Sequence, residues 1–317
     1  MTILAIDIGS SSVRAVLFEH RAEGVHLIPD AIVQKSYQFE TDNKGKATVN
    51  PIYLRQLVES CIDDILQHPN AQTIIALGMD TFVGNILALD KQKKPLADVD
   101  TYADTRSNDF VEALEQAIDT ETYHQRTGTL INTAYYLPKL KFYAQELDAI
   151  SSFTDFASYC YQQWFGRVVP MSYSIASWSG ILNRETLSWD DPSLKYSDYN
   201  RENFPELADY GQFQQGLSEI YAQRWQILAD TPFYLAVGDG AAAQVGSGAI
   251  AENTATLTIG TTAAIRKISR ERLPTVSEGC WSYRVDADHH LIGGADVASE
   301  LDAKRAINQG TRLAAAL

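Results

Sequence analysis

A short pattern occurs twice in this chain and ties its two ends to one architecture. Ile8-Gly9-Ser10-Ser11, after the apolar run ILAID, is matched by Ile259-Gly260-Thr261-Thr262, after TATLT. Each copy reads as apolar strand, glycine, two hydroxyl residues and a second apolar strand. Arg14 and Arg266 follow, out of step by one, and Thr258 stands where the first copy has Asp7. The pattern predicts an internal duplication at the start of two successive α/β domains, in which one copy kept its carboxylate.

The segments between the copies fill in that plan. ILAIDIG, SVRAVLFE and HLIPDAIVQKSYQF have strand length and alternation, so the first two should form a hairpin closed by the Gly-Ser turn. In residues 51–67, Leu54, Leu57, Val58, Cys61, Ile62 and Ile65 recur at three- and four-residue steps after Asn50-Pro51, which predicts an amphipathic helix. TIIALGM (73–79) reads as a buried strand, with GNILALD (84–90) expected to pair beside it. Helices are expected near 109–118 and 139–148, and over 153–166 with Gly166 ending the last. Residues 183–232 are polar and aromatic with weak periodicity. YLAVGDGAAAQVGSGAI (234–250) reads as strand, tight glycine turn and small-residue helix, and 254–269 as a new strand-turn-strand. A mixed sheet covered by crossover helices is the expected result.

Bulk properties remove several functional classes. The chain has 317 residues, 45% hydrophobic and 21% charged, with a formal net charge of −14. An acidic surface repels nucleic-acid phosphates and anionic lipid, so neither is an expected partner. The dispersed Cys61, Cys160 and Cys280 follow no metal-ligand spacing and suggest reduced thiols in a cytoplasmic protein. No apolar stretch approaches the roughly 18 residues of a membrane span. The N-terminus has no basic n-region of a signal peptide. His289-His290 stands outside any HExxH pattern, so no protein-built zinc site is expected.

The turns carry the chemistry. A hairpin turn of glycine and hydroxyls lets backbone N–H groups approach an anion and adds side-chain donors, so phosphate is the natural guest. Asp7 alone would repel a phosphate and makes sense with Mg²⁺ or its water shell between them, while Arg14 offsets further charge. A Gly-Ser hairpin with a solvated aspartate and nothing bound is the plain alternative. In Gly238-Asp239-Gly240 an acid sits sterically open at a strand end. The start of the next helix would keep it ionised, suiting a base or orienter for a substrate hydroxyl; an ordinary N-cap aspartate is the alternative. Gly78-Met79-Asp80-Thr81 and Tyr102-Ala103-Asp104-Thr105-Arg106 offer carboxylates, a guanidinium and a flat ring, as a sugar pocket requires, although such loop pairs also serve as structural ion pairs.

DIGSSSVR (7–14), YADTR (102–106), AYYLPKLKFY (134–143), SYSIASWSGILNRETLSWD (172–190), GDGAAAQVGSGAI (238–250) and TIGTTAAI (258–265) together resemble the FGGY carbohydrate kinases. The resemblance implies an actin-like ATPase (ribonuclease-H-like) α/β fold and transfer of the ATP γ-phosphoryl group to a sugar, polyol or sugar-acid hydroxyl. It implies ATP and Mg²⁺ as cofactors and a homodimer as the candidate assembly. Ser10, Ser11, Ser12 and Arg14 match the first phosphate motif, and Gly260, Thr261 and Thr262 the second. Asp7 matches the acid near the metal, Asp239 the catalytic base, and Asp80, Asp104 and Arg106 fall in regions that line or support the sugar site. Tyr102 stands where many members carry Trp, and Asp80 where xylulokinases and gluconokinases often carry His. SYSIAS and TIGTTAAIR lean to the gluconokinase and xylulokinase side rather than to glycerol kinase. After LIGGA (291–295) members usually continue into a long second domain with an adenosine-binding motif, whereas this chain runs DVASELDAKRAINQGTRLAAAL. The resemblance therefore implies a complete first domain (1–250), the beginning of a second (251–317), a frameshift near Ala295 and impaired activity. A non-catalytic sugar-binding or regulatory remnant is the competing reading. An actin-like ATPase without a sugar acceptor would not require YADTR or SYSIASWSG.

Overall fold

The hairpin at the N-terminus forms the centre of the first sheet. In the computed structural model, which describes residues 1–259, 263–277 and 279–294, β1 (Thr2–Ile8) runs antiparallel to β2 (Ser12–Arg21). β2 in turn pairs antiparallel with β3 (Gly24–Ser36). The alternation along β1 buries Leu4, Ile6 and Ile8 fully and leaves Asp7 on the other, partly open face. Each such buried aliphatic side chain contributes about 1.5–3 kcal/mol.

The chain crosses back through α1 (Pro51–Ile65). Asn50 caps it by accepting from the Ile52 and Tyr53 N–H groups, both at 3.0 Å, and Pro51 occupies the first turn, where no donor is needed. Leu54, Val58, Cys61, Ile62 and Ile65 are buried as the periodicity predicts, with Leu57 half-buried beside them. β4 (Ile74–Thr81) then enters parallel to β1 on the side away from β2. Three short strands complete the sheet: β5 (Phe213–Gln214), β6 (Phe233–Tyr234) and β7 (Val237–Gly238). Its order is β5-β6-β4-β1-β2-β3, with β7 also paired to β4. A 3-2-1-4 order, with three antiparallel strands and a fourth added parallel to β1 through a crossover helix, is the ribonuclease-H-like arrangement.

Two expectations are corrected. GNILALD does not pair with β4: Leu87–Leu89 joins Ser152–Thr154 in a separate two-stranded sheet. Both strands are buried, so period alone marked a strand without naming its neighbour. The helix expected over 153–166 accordingly begins only at Phe156. Asp155 caps it by accepting from Ala157 and Ser158 N–H, and Gly166 ends it in the left-handed conformation (φ 65°). The other expected helices are present as Val111–Ala117 and α2 (Tyr136–Glu146); α3 is Phe156–Phe165.

Farther on come α4 (Tyr173–Ser177) and α5 (Asp239–Gly246). A second sheet follows, β8 (Ala255–Ile259), β9 (Ala263–Ser269), β10 (Cys280–Arg284) and β11 (His290–Gly294), in the order β8-β9-β11-β10. The β8–β9 hairpin repeats the β1–β2 hairpin, as the duplication predicts. The second sheet is anchored to the preceding part of the chain at defined points. Ser282 N–H donates to Gly128 O (2.8 Å), and Gly128 has φ 75°, with the Ser282 carbonyl filling the space a side chain would need. Arg284 N–H donates to Ser177 Oγ (2.9 Å). Among the described residues the cysteines are free, and no helix is long and apolar enough to cross a membrane.

Candidate active site at the carboxyl ends of the central strands

The strand register brings distant carboxylates to one edge. Asp7 lies opposite Arg14 on β2 and opposite Asp80 on β4, and Asp80 in turn lies opposite Val237, two residues before Asp239. In a sheet with its strands in register, residues far apart in sequence become neighbours about 5 Å apart. Asp7 Oδ2 accepts from Arg14 Nη1 at 2.5 Å.

The turn between Asp7 and Arg14 is closed by Gly9 N–H donating to Ser12 O (3.0 Å). Tyr37 consumes two of its carbonyls: its hydroxyl donates to Gly9 O (2.6 Å) and its N–H to Ser11 O (2.9 Å). Electronegative groups of the turn are thus tied to protein. The Ser10 and Ser11 hydroxyls have no hydrogen-bond partner among the described residues, and Ser11 is exposed. Ser12 is buried as the first residue of β2. A turn that spends its acceptors inward and leaves hydroxyls outward suits an anion. The second phosphate motif, Gly260, Thr261 and Thr262, lies outside the described residues.

Asp239 is the first residue of α5, and Gly238 holds the N-cap position, so the aspartate is not the capping residue. Its Oδ1 accepts from Gly240 N–H at 2.8 Å. The ionising effect expected of the helix start is outweighed. Burial raises Asp239 to about 6, with the charge of Asp7 adding to it, against the lowering by Gly240 N–H and Arg266. Asp80 is raised further, to about 8, by burial first and then by the charges of Asp7 and Asp239 and hydrogen bonding to Asp7. This trio of acids lies in one electrostatic field with Arg14 and Arg266 as its cations.

The segment SYSIAS braces this edge from below. Ser172 caps α4 and donates to Ala236 O (2.5 Å), and Ser174 Oγ accepts from Gly238 N–H (3.1 Å). The glycines beside Asp239 are closely approached by their neighbours: a Cβ on Gly238 would collide with Val83 Cγ1 at 2.7 Å, and one on Gly240 would press on Trp178 Cζ2 at 3.1 Å. The same contacts lead to the expected sugar side. Gly84 follows Val83 with φ 69°, and a Cβ there would meet Ala134 O at 2.9 Å and Tyr102 Cβ at 3.0 Å. Tyr102 is 46% exposed and lies edge-on to Phe39, which also packs on Phe82.

Asp104 and Arg106 are placed differently from Tyr102. Asp104 is buried and accepts from Ala47 N–H (2.9 Å), Arg106 N–H (3.1 Å) and Arg106 Nε (2.9 Å). Arg106 also donates to Asp100 Oδ1 (2.6 Å) and lies over the Phe142 ring. Buried Lys139 donates to Thr101 O beside this cluster and is lowered to about 8 by burial. The pair therefore locks the loop that presents Tyr102, with both Asp104 oxygens and the Arg106 Nε and Nη2 groups engaged internally. Sequence reasoning missed Tyr37, Val83 and Trp178 as parts of the site; the only signals were an aromatic near the turn and the quoted SYSIASWSG segment.

Among the described residues no group of three or more His, Cys, Asp or Glu side chains is arranged to hold a metal ion. The donor chemistry nevertheless suits a hard cation that keeps most of its water: oxygen ligands only, in a field rich in carboxylate.

The N-terminal domain of the FGGY family of carbohydrate kinases matches residues 2–246. Gluconokinase of Bacillus subtilis (strain 168) is 28% identical over 300 residues, covering 92% of this chain and 56% of that protein. Glycerol kinase of Geobacillus sp. (strain WCH70) is 24% identical over 274 residues, 82% of this chain and 53% of that protein. The xylulose kinase structure from Rhodospirillum rubrum shares the fold with a TM-score of 0.86 at 15% identity, covering 100% of this chain and 64% of that one. Gluconate kinase from Lactobacillus acidophilus does so with 0.83 at 22%, covering 93% and 60%. The chain spans about half the length of the curated relatives it matches. Because this family domain matches residues 2–246, well over half of the chain, the chain belongs to the FGGY family of carbohydrate kinases.

Proposed function

We propose that this chain provides the acceptor site and the catalytic base of an ATP-dependent kinase acting on a sugar, polyol or sugar acid. The observation that carries the reading is the placement of Asp239: it opens α5 between two glycines, two residues after the Val237 that pairs with Asp80, and burial with the charge of Asp7 raises it to about 6. A base whose proton affinity lies just below neutrality is ionised at pH 7 and still able to draw a hydroxyl proton.

Asp239 holds the acceptor hydroxyl and takes its proton as the oxygen bonds to the terminal phosphorus of ATP and the bond to ADP breaks. Ser10, Ser11 and the N–H groups of the turn grip the phosphates, and Gly260, Thr261 and Thr262 are their proposed counterparts in the second hairpin. Arg14 orients Asp7 and offsets charge. Tyr102 supplies the flat apolar face for the acceptor, and Asp104 and Arg106 hold its loop. Asp7, with Asp80 beside it, would hold Mg²⁺, which when bound shields carboxylate from phosphate and draws off charge in the transfer.

A coupled ADP-release assay over a panel of sugars, polyols and sugar acids tests the reading. Turnover is expected with at least one acceptor, and Asp239→Asn should lower it about 10²–10⁴-fold with folding intact. Acceptor binding by calorimetry without ATP binding or turnover would favour the non-catalytic remnant instead. Full turnover in the Asp239→Asn variant would overturn the assignment of the base.

A further inference from the structure

Trp178, which ends α4, is enclosed by both parts of the chain. Tyr283 of β10 stacks on it with 3.6 Å between ring centroids and 17° between planes. Trp281 lies 5.5 Å away on the same strand, and the Tyr283 hydroxyl is 2.6 Å from that of Tyr135. The other side of the indole meets the turn that carries Asp239. A Cβ on Gly238 would come 3.0 Å from Nε1, and one on Gly240 3.1 Å from Cζ2. Neither glycine has a positive φ, so the backbone does not demand glycine at either position; the surrounding side chains crowd it. The indole N–H is buried without a hydrogen-bond partner among the described residues. Leaving a donor unpaired is costly, so the ring serves here through its shape and not through its polar atom.

We propose that Trp178 is the positioning residue for Asp239: held by Tyr283 and Trp281 of the second sheet, it fixes the Gly238–Gly240 turn and so sets the direction of the carboxylate. The inference rests on the assignment of Asp239 as the base. It makes the second sheet part of the site through packing alone, because the stack closes only when β10 is docked. Trp178→Phe keeps a stacking face and removes the unpaired donor and the Cζ2 edge, whereas Trp178→Ala removes the whole wall against which the turn rests.

The test reads the Gly240 amide, which donates to Asp239 Oδ1, by NMR in the full chain. In Trp178→Ala its resonance should move and its hydrogen exchange should quicken about tenfold, while amides of β1 and β4 stay as they were. Trp178→Phe keeps a stacking face but lacks the Cζ2 edge that meets Gly240, so it should move the resonance in the same direction by a smaller amount. Gly240→Ala probes the same contact from the other side. Alanine favours the helix, so a lowered melting temperature and a displaced Asp239 can come only from the collision with the indole. Combining it with Trp178→Leu should recover part of the loss. Unchanged Gly240 protection in Trp178→Ala, or losses that simply add in the double variant, would overturn the proposal. Should Trp178→Ala not fold, the Gly240→Ala pair decides alone. Turnover unaffected by Asp239→Asn would instead refute the proposed function, and the amide readout would still stand.

Discussion

Asp80→Asn should stabilise the protein without divalent cations, and more strongly as the pH rises. Asp80 titrates at about 8 because it is buried beside Asp7 and Asp239, against 3.8 for an ordinary aspartate. Between those values the folded protein holds a proton that the unfolded chain has released, so stability falls as pH rises through this window. Each unit corresponds to about 1.4 kcal/mol, which puts the cost at pH 7 at up to about 4 kcal/mol. Asp80 is half-buried, and screening by water leaves about 2 kcal/mol as the expected gain. An asparagine keeps the shape and the donor of the protonated acid and cannot ionise. Thermal unfolding of both proteins from pH 5 to pH 8.5 in EDTA reads the effect. The melting curves should nearly coincide at the acid end and separate steadily above it, with the variant higher. A variant that is less stable by a constant amount at every pH would refute the reasoning, since Asp80 would then act through a contact and not through its charge.

Other expectations follow from the same geometry. With turnover in hand, kcat/KM should fall about tenfold per pH unit below about 6, where Asp239 becomes protonated, and Asp239→Asn should abolish that limb; a flat profile down to pH 5 would argue against this base. Arg106→Met should cost about 3 kcal/mol of stability, because it leaves the buried Asp104 and Asp100 with Lys139 as their remaining cation, and chemical denaturation would show it. An acceptor-binding loss with stability unchanged would instead place Arg106 on the sugar. Gly128→Ala forces a left-handed backbone and drives a methyl into the Ser282 carbonyl, so it should loosen the second sheet by about 2–4 kcal/mol; limited proteolysis should then cut after residue 250 first.

Much of the fold was legible because its signals are local. The Asn50-Pro51 start of α1, the Gly166 end of α3 and the alternation of β1 each follow from backbone chemistry within a few residues. The Gly9–Ser12 turn and the two hairpins were equally readable. Of the site, Asp7 and Asp239 stood out as acids at strand ends. Asp104 and Arg106 read in sequence as residues that line or support the sugar site, and the structure places them in an ion cluster with Asp100.

What the amino-acid sequence determined by itself was the N-terminal hairpin, the strand at Ile74–Thr81, the amphipathic α1 with its cap and the turn chemistry, since these depend on neighbours along the chain. Tertiary structure alone decided which strands pair, and so sent Leu87–Leu89 to Ser152–Thr154 and placed Asp80 between Asp7 and Asp239. Pairing partners are set by packing between distant segments, and the period of a strand carries no record of them. It also decided the ionisation of these acids, because a carboxyl responds to burial and to charges across the sheet. The place of Trp178 against the two glycines belongs to that second class: a ring and a turn that meet only when the second sheet closes over them.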